Sequence, residues 1–154
     1  MGGSNMVDAN GAAGGQTGIY GTLGTAASTN IPGGREGAVT WSDASGNLWL
    51  FGGYGFDSTG TQGSLNDLWE FNPALGALGE WTWMGGINSV GDTFLGQSGV
   101  YGILGTAAAS NVPGGRDYAV SWTDGSGNRW LFGGYGWDST EMQGFLNDMW
   151  EFKP

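Results

Sequence analysis

Apolar residues in this chain come in short runs closed by glycine. The stretch Asn47-Leu48-Trp49-Leu50-Phe51-Gly52-Gly53-Tyr54-Gly55 returns as Asn128-Arg129-Trp130-Leu131-Phe132-Gly133-Gly134-Tyr135-Gly136. An apolar run that ends in a glycine pair predicts a buried strand leaving the core through a sharp bend. In the first occurrence Leu48 and Leu50 make one face and Trp49 and Phe51 the other, so the strand is expected between two layers. A preceding strand is read at 37–42 and again at 118–123. It joins the apolar run through Asp43-Ala44-Ser45-Gly46-Asn47 or Asp124-Gly125-Ser126-Gly127-Asn128. Those clusters are hairpin chemistry, with carboxylates and amides that bond nearby backbone and glycine that takes positive φ. Beyond the apolar run, 55–64 reads as a loop and 65–72 as a third strand with its twin at 146–154. A turn at 73–79 then leads to a fourth strand, Glu80-Trp81-Thr82-Trp83-Met84.

Nearly every element occurs twice. Pro32-Gly33-Gly34-Arg35 matches Pro113-Gly114-Gly115-Arg116 at an offset of 81, and the same offset links Trp41 to Trp122, Gly52 to Gly133 and Trp69 to Trp150. Met1-Gly2-Gly3 matches Met84-Gly85-Gly86 at an offset of 83, which places a two-residue length difference in the loop that follows. The chain therefore divides into two copies of one unit, 1–84 and 85–154. Each copy opens on a long segment rich in Gly, Ala, Thr, Ser and Asn (2–30 and 85–111), read as an ordered loop of the length that usually carries function. The second copy stops before a fourth strand of its own, so about seven strands are expected. Either that sheet has three strands, or residues 4–17 fill the place, or the chain belongs to a longer protein. An open edge at 150–152 would be a pairing liability.

A strand ending in Gly-Gly, then a strand with an aromatic after Asn-Asp, then a strand with Trp, resembles the Kelch repeat. The residues that carry the likeness are Gly52, Gly53, Trp69 and Trp81, and in the second copy Gly133, Gly134 and Trp150. It covers most of each copy from Pro32 and Pro113 onward and is similar to long bacterial Kelch-like repeats. The unit is longer than a usual Kelch repeat, and a Leu-Gly-Ala-Leu-Gly stutter at 75–79 widens the gap from Trp69 to Trp81. The resemblance implies an all-β fold of β-propeller blades, two per chain. Propellers stack typically four to eight such sheets around a channel. Two blades would leave apolar faces in water, so closure by homo-oligomerisation is expected. A homotrimer with six blades is favoured, then a tetramer with eight. The competing reading is a monomeric sandwich of two sheets. The resemblance to long bacterial Kelch-like repeats also suggests a secreted or cell-surface origin.

Composition narrows the function classes. Thirty-four glycines could mean low complexity, but nine Trp, seven Phe and five Tyr supply bulk that disordered chains lack. The net charge of −10, with only Arg35, Arg116, Arg129 and Lys153 positive, argues against nucleic acid and against an anionic membrane surface. No Cys and no His are present. That removes thiolate and Ser-His-Asp nucleophiles, haem ligation through either residue, and nitrogen or sulfur ligation of Zn or Cu. Met1-Gly2-Gly3-Ser4-Asn5-Met6 has no basic region before an apolar run and does not read as a signal peptide.

Few side chains remain as candidates. Arg35 and Arg116 stand just before the first strand of each copy, either to meet an anionic ligand or to bond a strand carboxylate or loop carbonyls within the fold, with Glu70 and Glu151 the plausible carboxylate partners. Asp57 and Asp138, near Asn66-Asp67 and Asn147-Asp148, offer oxygen ligands for Ca²⁺ at a spacing unlike any EF-hand loop, or else caps for their loops. Tyr20, Tyr101, Phe56 and Trp137 fall in or beside loops where they could stack on a sugar or a protein partner. The expected function is a non-enzymatic, self-assembling scaffold or binding module for a protein or carbohydrate, with no cofactor. A purely structural or engineered fragment without a ligand is the alternative. A hydrolase built on Glu70 or Glu151 is the third and least favoured reading.

Overall fold

In the computed structural model, which describes residues 6, 7, 14–91 and 95–153, the chain is all-β, with no helix among the described residues. The first copy contributes β1 (Arg35–Glu36), β2 (Val39–Ser42), β3 (Leu48–Phe51), β4 (Tyr54–Phe56), β5 (Gln62–Ser64), β6 (Leu68–Asn72) and β7 (Glu80–Gly85). The second contributes β8 (Arg116–Asp117), β9 (Val120–Thr123), β10 (Arg129–Phe132), β11 (Tyr135–Trp137), β12 (Gln143–Phe145) and β13 (Met149–Phe152). They form four small antiparallel sheets. A four-stranded meander β2-β3-β6-β7 in copy one matches a three-stranded sheet β9-β10-β13 in copy two. Each copy also has a three-stranded sheet beside its large one, β1-β4-β5 and β8-β11-β12. Of residues 4–17, only 6, 7 and 14–17 lie among those described.

Two differences from the sequence reading concern the third strand and the loop before it. Residues 55–64 are no plain loop: β4 and β5 pair through Tyr54↔Ser64, Gly55↔Gly63 and Phe56↔Gln62, with β1 on the outer side of β4. Two glycines face each other at the central pair, so each three-residue strand has side chains only at its ends and carries little strand signal. The third strand starts at Leu68, not at residue 65. Leu65 instead donates its N–H to Gly53 O and accepts from Arg116 N of the second copy, while Asp67 O accepts from Gly52 N. The predicted bend lies at Gly52 and Gly53, with φ of 64° and 95°. A Cβ at Gly52 would stand 2.7 Å from Arg116 O, and one at Gly53 2.6 Å from Glu36 O. Only glycine permits both that backbone and that approach.

Strand alternation gives each large sheet two unlike faces. In copy one, Val39, Trp41, Trp49, Phe51 and Leu68 share the first face, by the pairs Val39↔Phe51, Trp41↔Trp49 and Phe51↔Leu68. Leu48, Leu50, Trp69 and Phe71 share the second. In copy two the corresponding second face carries Arg129, Leu131, Trp150 and Phe152. The core forms where the first face of copy one packs on the second face of copy two. Val39, Trp41, Trp49, Phe51 and Leu131 make the buried cluster, flanked by Leu68, Ala119, Trp150 and Phe152. Phe152 lies 5.5 Å from Trp41 and 5.7 Å from Phe51, ring centre to ring centre. The Arg129 guanidinium sits 4.0 Å over the Trp49 ring. Polar contacts fix the register of this seam: Gly53 N–H to Arg116 O at 2.8 Å, Tyr118 N–H to Gly37 O at 2.8 Å, and Trp41 Nε1–H to Trp130 O at 3.1 Å. The apolar run is thus covered on one face by the other copy, while Leu48 on its second face stays half exposed.

Leu131 lies fully buried in the seam and its twin Leu50 is only partly covered. Leu131→Ala is expected to cost about 2–5 kcal/mol, the usual range for a buried leucine. Leu50→Ala should cost clearly less, and urea unfolding of the two variants measures the difference.

Candidate functional site

The loop end of each copy is organised by one arginine. Arg35 Nη1 and Nη2 donate to Asp67 Oδ1 and Oδ2 at 2.6 and 2.9 Å, a two-pronged contact. Nη1 also donates to Gly52 O and Nε to Gly33 O, both at 3.0 Å. Asp67 Oδ2 further accepts from the Tyr20 hydroxyl at 2.5 Å and from Trp69 Nε1–H at 2.7 Å. One buried ion pair therefore ties the Pro-Gly-Gly-Arg segment, the glycine bend, the head of β6 and the long first loop together. Burial and the neighbouring Asp67 carboxylate push the Tyr20 hydroxyl far above its ordinary value. The second copy repeats the constellation with Arg116, Asp148, Tyr101 and Trp150. Burial there opposes the Asp148 charge, but hydrogen bonds from Arg116, Tyr101 and Trp150 hold the carboxyl below its usual range. Partial burial and the bond to Asp148 push Tyr101 up to about 12.

Glu70 and Glu151 are not the partners of these arginines. Glu70 alternates to the other face of β6 from Trp69 and accepts instead from Asn47 Nδ2 at 2.9 Å. Glu151 meets Lys153 at 3.5 Å. A side chain two residues before Trp69 shares its face, and that spacing in Asn-Asp-Leu-Trp is the signal that points to Asp67 and Asp148.

Asp57 is fully buried and caps its own hairpin. Oδ1 accepts from Thr59 N, the Thr59 hydroxyl and Thr61 N, and Oδ2 accepts from Val90 N at 2.9 Å. Asp138 repeats the bonds to Thr140 and Met142 N in a more open setting. Among the described residues no three acidic groups converge on one point. Of the loop aromatics, Tyr20 and Trp137 are buried, whereas Phe56 and Tyr101 remain partly exposed. Phe56 lies over Gly15 and Trp137 over Gly96, positions where a Cβ would strike the ring. Asp43 and Asp124 close the β2–β3 and β9–β10 hairpins. Asp124 Oδ2 accepts from Trp130 Nε1 at 2.9 Å and from Asn128 Nδ2 at 3.0 Å. These bonds lower its carboxyl to about 2 from an ordinary 3.8.

Two larger features stand outside these clusters. The first face of copy two is open: Val120, Trp122 and Phe132 are 57%, 43% and 42% exposed, where their twins Val39, Trp41 and Phe51 are 7%, 5% and 2% exposed. Met149, paired with Phe132 across β10 and β13 and also exposed, extends that patch. Beside the outer edge of β13 lies a cavity of about 1030 Å³, walled by Tyr101, Gly105, Ala108, Asn111 and Trp150 and floored by Leu68, Glu70 and Met84 of copy one. No protein family, curated protein or solved structure matches this chain.

Asp67→Ala strands a buried guanidinium and should destabilise the chain by about 3–5 kcal/mol in chemical denaturation. Asp148→Ala should cost less, because Asp148 is 15% exposed and Asp67 0%. Acid should also act on the depressed carboxyls. A lowered folded-state value adds stability above the ordinary value that is lost as pH falls toward the folded one. Stability is therefore expected to drop between 3.8 and about 2 for Asp124. Asp124→Asn should flatten that acid limb in thermal melts run across pH.

Proposed function

We propose that this chain is a non-enzymatic, self-associating pair of β-propeller blades of the Kelch type, in which the open first face of copy two docks on the second face of copy one in another molecule. The carrying observation is that the same residue types are buried in one copy and bare in the other. Val120, Trp122, Phe132 and Met149 hold the positions of Val39, Trp41, Phe51 and Leu68, which the seam inside the chain covers. That seam is a template for the contact. The surface it calls for exists on copy one, where Leu48, Leu50 and Phe71 hold the positions of Arg129, Leu131 and Phe152 and a groove of about 430 Å³ runs over Leu48 and Leu50. The polar register has its counterpart too. Gly134 stands where Gly53 stands, and among the described residues no backbone carbonyl accepts from its N–H.

A contact between two different faces is head-to-tail and closes into a ring when the rotation allows. Two blades per chain reach four, six or eight with two, three or four chains, and six is the favoured number. An exposed apolar patch of this kind marks an interface or an aggregation hazard. The loops at the arginine end form the presented surface for a protein or carbohydrate ligand, with Phe56 and Tyr101 the candidate aromatics a ligand can touch. Arg35, Arg116 and Asp57 bond to groups inside the fold, which supports a scaffold role for them.

Analytical ultracentrifugation should show a single species of three chain masses. Val120→Glu with Trp122→Glu should yield a monomer whose far-ultraviolet spectrum is unchanged, whereas Trp41→Glu should unfold the chain. A wild-type protein that stays monomeric and folded would overturn the reading.

A further inference from the structure

The cavity beside β13 has a counterpart in copy one, and there it is filled. Strand β7 lies against β6 through Asn72↔Glu80, Phe71↔Trp81, Glu70↔Thr82 and Trp69↔Trp83. Its Trp81 ring packs 5.1 Å from Phe71 and 6.3 Å from Trp69, and Tyr20 lies 5.3 Å from Trp83. On its other side the long loop binds its backbone: Gly24 N–H reaches Trp83 O at 2.8 Å, and Asn30 Nδ2 reaches Trp81 O at 3.0 Å. Ala27 N–H reaches Trp81 O at 3.4 Å.

Copy two keeps both walls of this slot. β13 is the outer strand of its sheet and pairs only with β10 among the described residues. Trp150, Phe152 and Tyr101 hold the places of Trp69, Phe71 and Tyr20, and Tyr101 already packs 5.0 Å from Trp150. Gly105, Ala108 and Asn111 hold the places of Gly24, Ala27 and Asn30, and no backbone carbonyl among the described residues accepts from Gly105 N or Ala108 N. The Asn111 side chain keeps the bond to Thr106 O that Asn30 makes to Thr25 O, so the loop is already shaped like its filled twin.

We infer that this slot is a binding site for an extended peptide strand with tryptophan at alternate positions, of the type Glu-Trp-Thr-Trp-Met-Gly, other than this chain's own β7. The strand adds to the free edge of β13, as extended peptides add to open sheet edges elsewhere. Its first tryptophan enters between Trp150 and Phe152 and its second against Tyr101. Its carbonyls accept from Gly105 N, Ala108 N and Asn111 Nδ2. The one Trp-Xaa-Trp in residues 1–154, at Trp81 and Trp83, is engaged in its own sheet, so that segment does not fill the slot. The site rests on the equivalence of the two copies and not on association through the Trp122 face, which belongs to the first face of the sheet.

The test uses the full chain and a fluorescein-labelled peptide of residues 79–86, Gly-Glu-Trp-Thr-Trp-Met-Gly-Gly. Saturable binding in fluorescence anisotropy is expected, equally for the wild type and for the Val120→Glu, Trp122→Glu variant. Serine in place of either peptide tryptophan should weaken binding about tenfold or more, the loss expected when an aromatic anchor leaves its pocket. Hydrogen exchange should slow at Gly105 and Ala108 on adding peptide. No saturable binding, equal binding of the serine peptides, or protection at Val120 and Trp122 instead would overturn the inference. So would protection of Gly105 and Ala108 without peptide together with loss of protection at Glu80–Gly85, which would mean that a second copy lends its β7.

Discussion

Everything at the loop end of each copy hangs on a guanidinium that has been taken out of water. Arg35 is almost entirely covered, and only a carboxylate with matched geometry and carbonyls at fixed places make that tolerable. The constraint then runs outward. Asp67 must stand at the head of β6, Gly52 must turn its carbonyl inward at the bend, and Tyr20 must bring its hydroxyl down from the long loop. A segment of Gly, Ala and Thr with no strand period acquires a fixed course because its tyrosine and asparagine are claimed by buried partners. The charge pair therefore gives the copy its shape more than it gives it stability.

Hydrophobic burial supplies the stability, and it is spread unevenly. Trp41, Trp49 and Phe51 find Leu131 and Phe152 across the seam, while Trp122 and Phe132 have only each other's neighbours. Trp122 and Trp130 respond by stacking almost parallel, with ring centres 6.3 Å apart and planes 7° apart. The copies also differ where they touch. Tyr118, with φ of 54°, replaces Gly37, and Phe145 replaces the buried Ser64. Both side chains are exposed, so the second copy resembles its covered twin without duplicating it.

The strands of the large sheets were readable from residue type because a two-residue period, an Asp-Xaa-Ser-Gly-Asn turn and a Gly-Gly stop coincide at Val39–Ser42 and Leu48–Phe51. The repeat doubled each of those signals. The small sheets were not readable, since Tyr-Gly-Phe and Gln-Gly-Ser are too short and too poor in side chains to announce a strand. Arg35 was recognisable as a structural fork, but its partner was misplaced, because a charge-based search favours the nearer-looking Glu70 and ignores that adjacent residues on a strand point to opposite sides. Tyr20 and Trp137 carried no mark of burial in their sequence neighbourhoods. Their cover comes from Asp67 and Gly96, which lie far off along the chain.

The seam between the copies has one more property, which follows from where its halves are attached. Leu131 and Phe152 reach Trp41 and Phe51 on a tether, so their effective concentration stays high, on the order of millimolar for a short flexible link, however dilute the sample becomes. A second molecule docking on Trp122 and Phe132 would instead arrive by diffusion and obey mass action. One arrangement of residues, written twice, would thus give one contact blind to dilution and, in the proposed assembly, another governed by it.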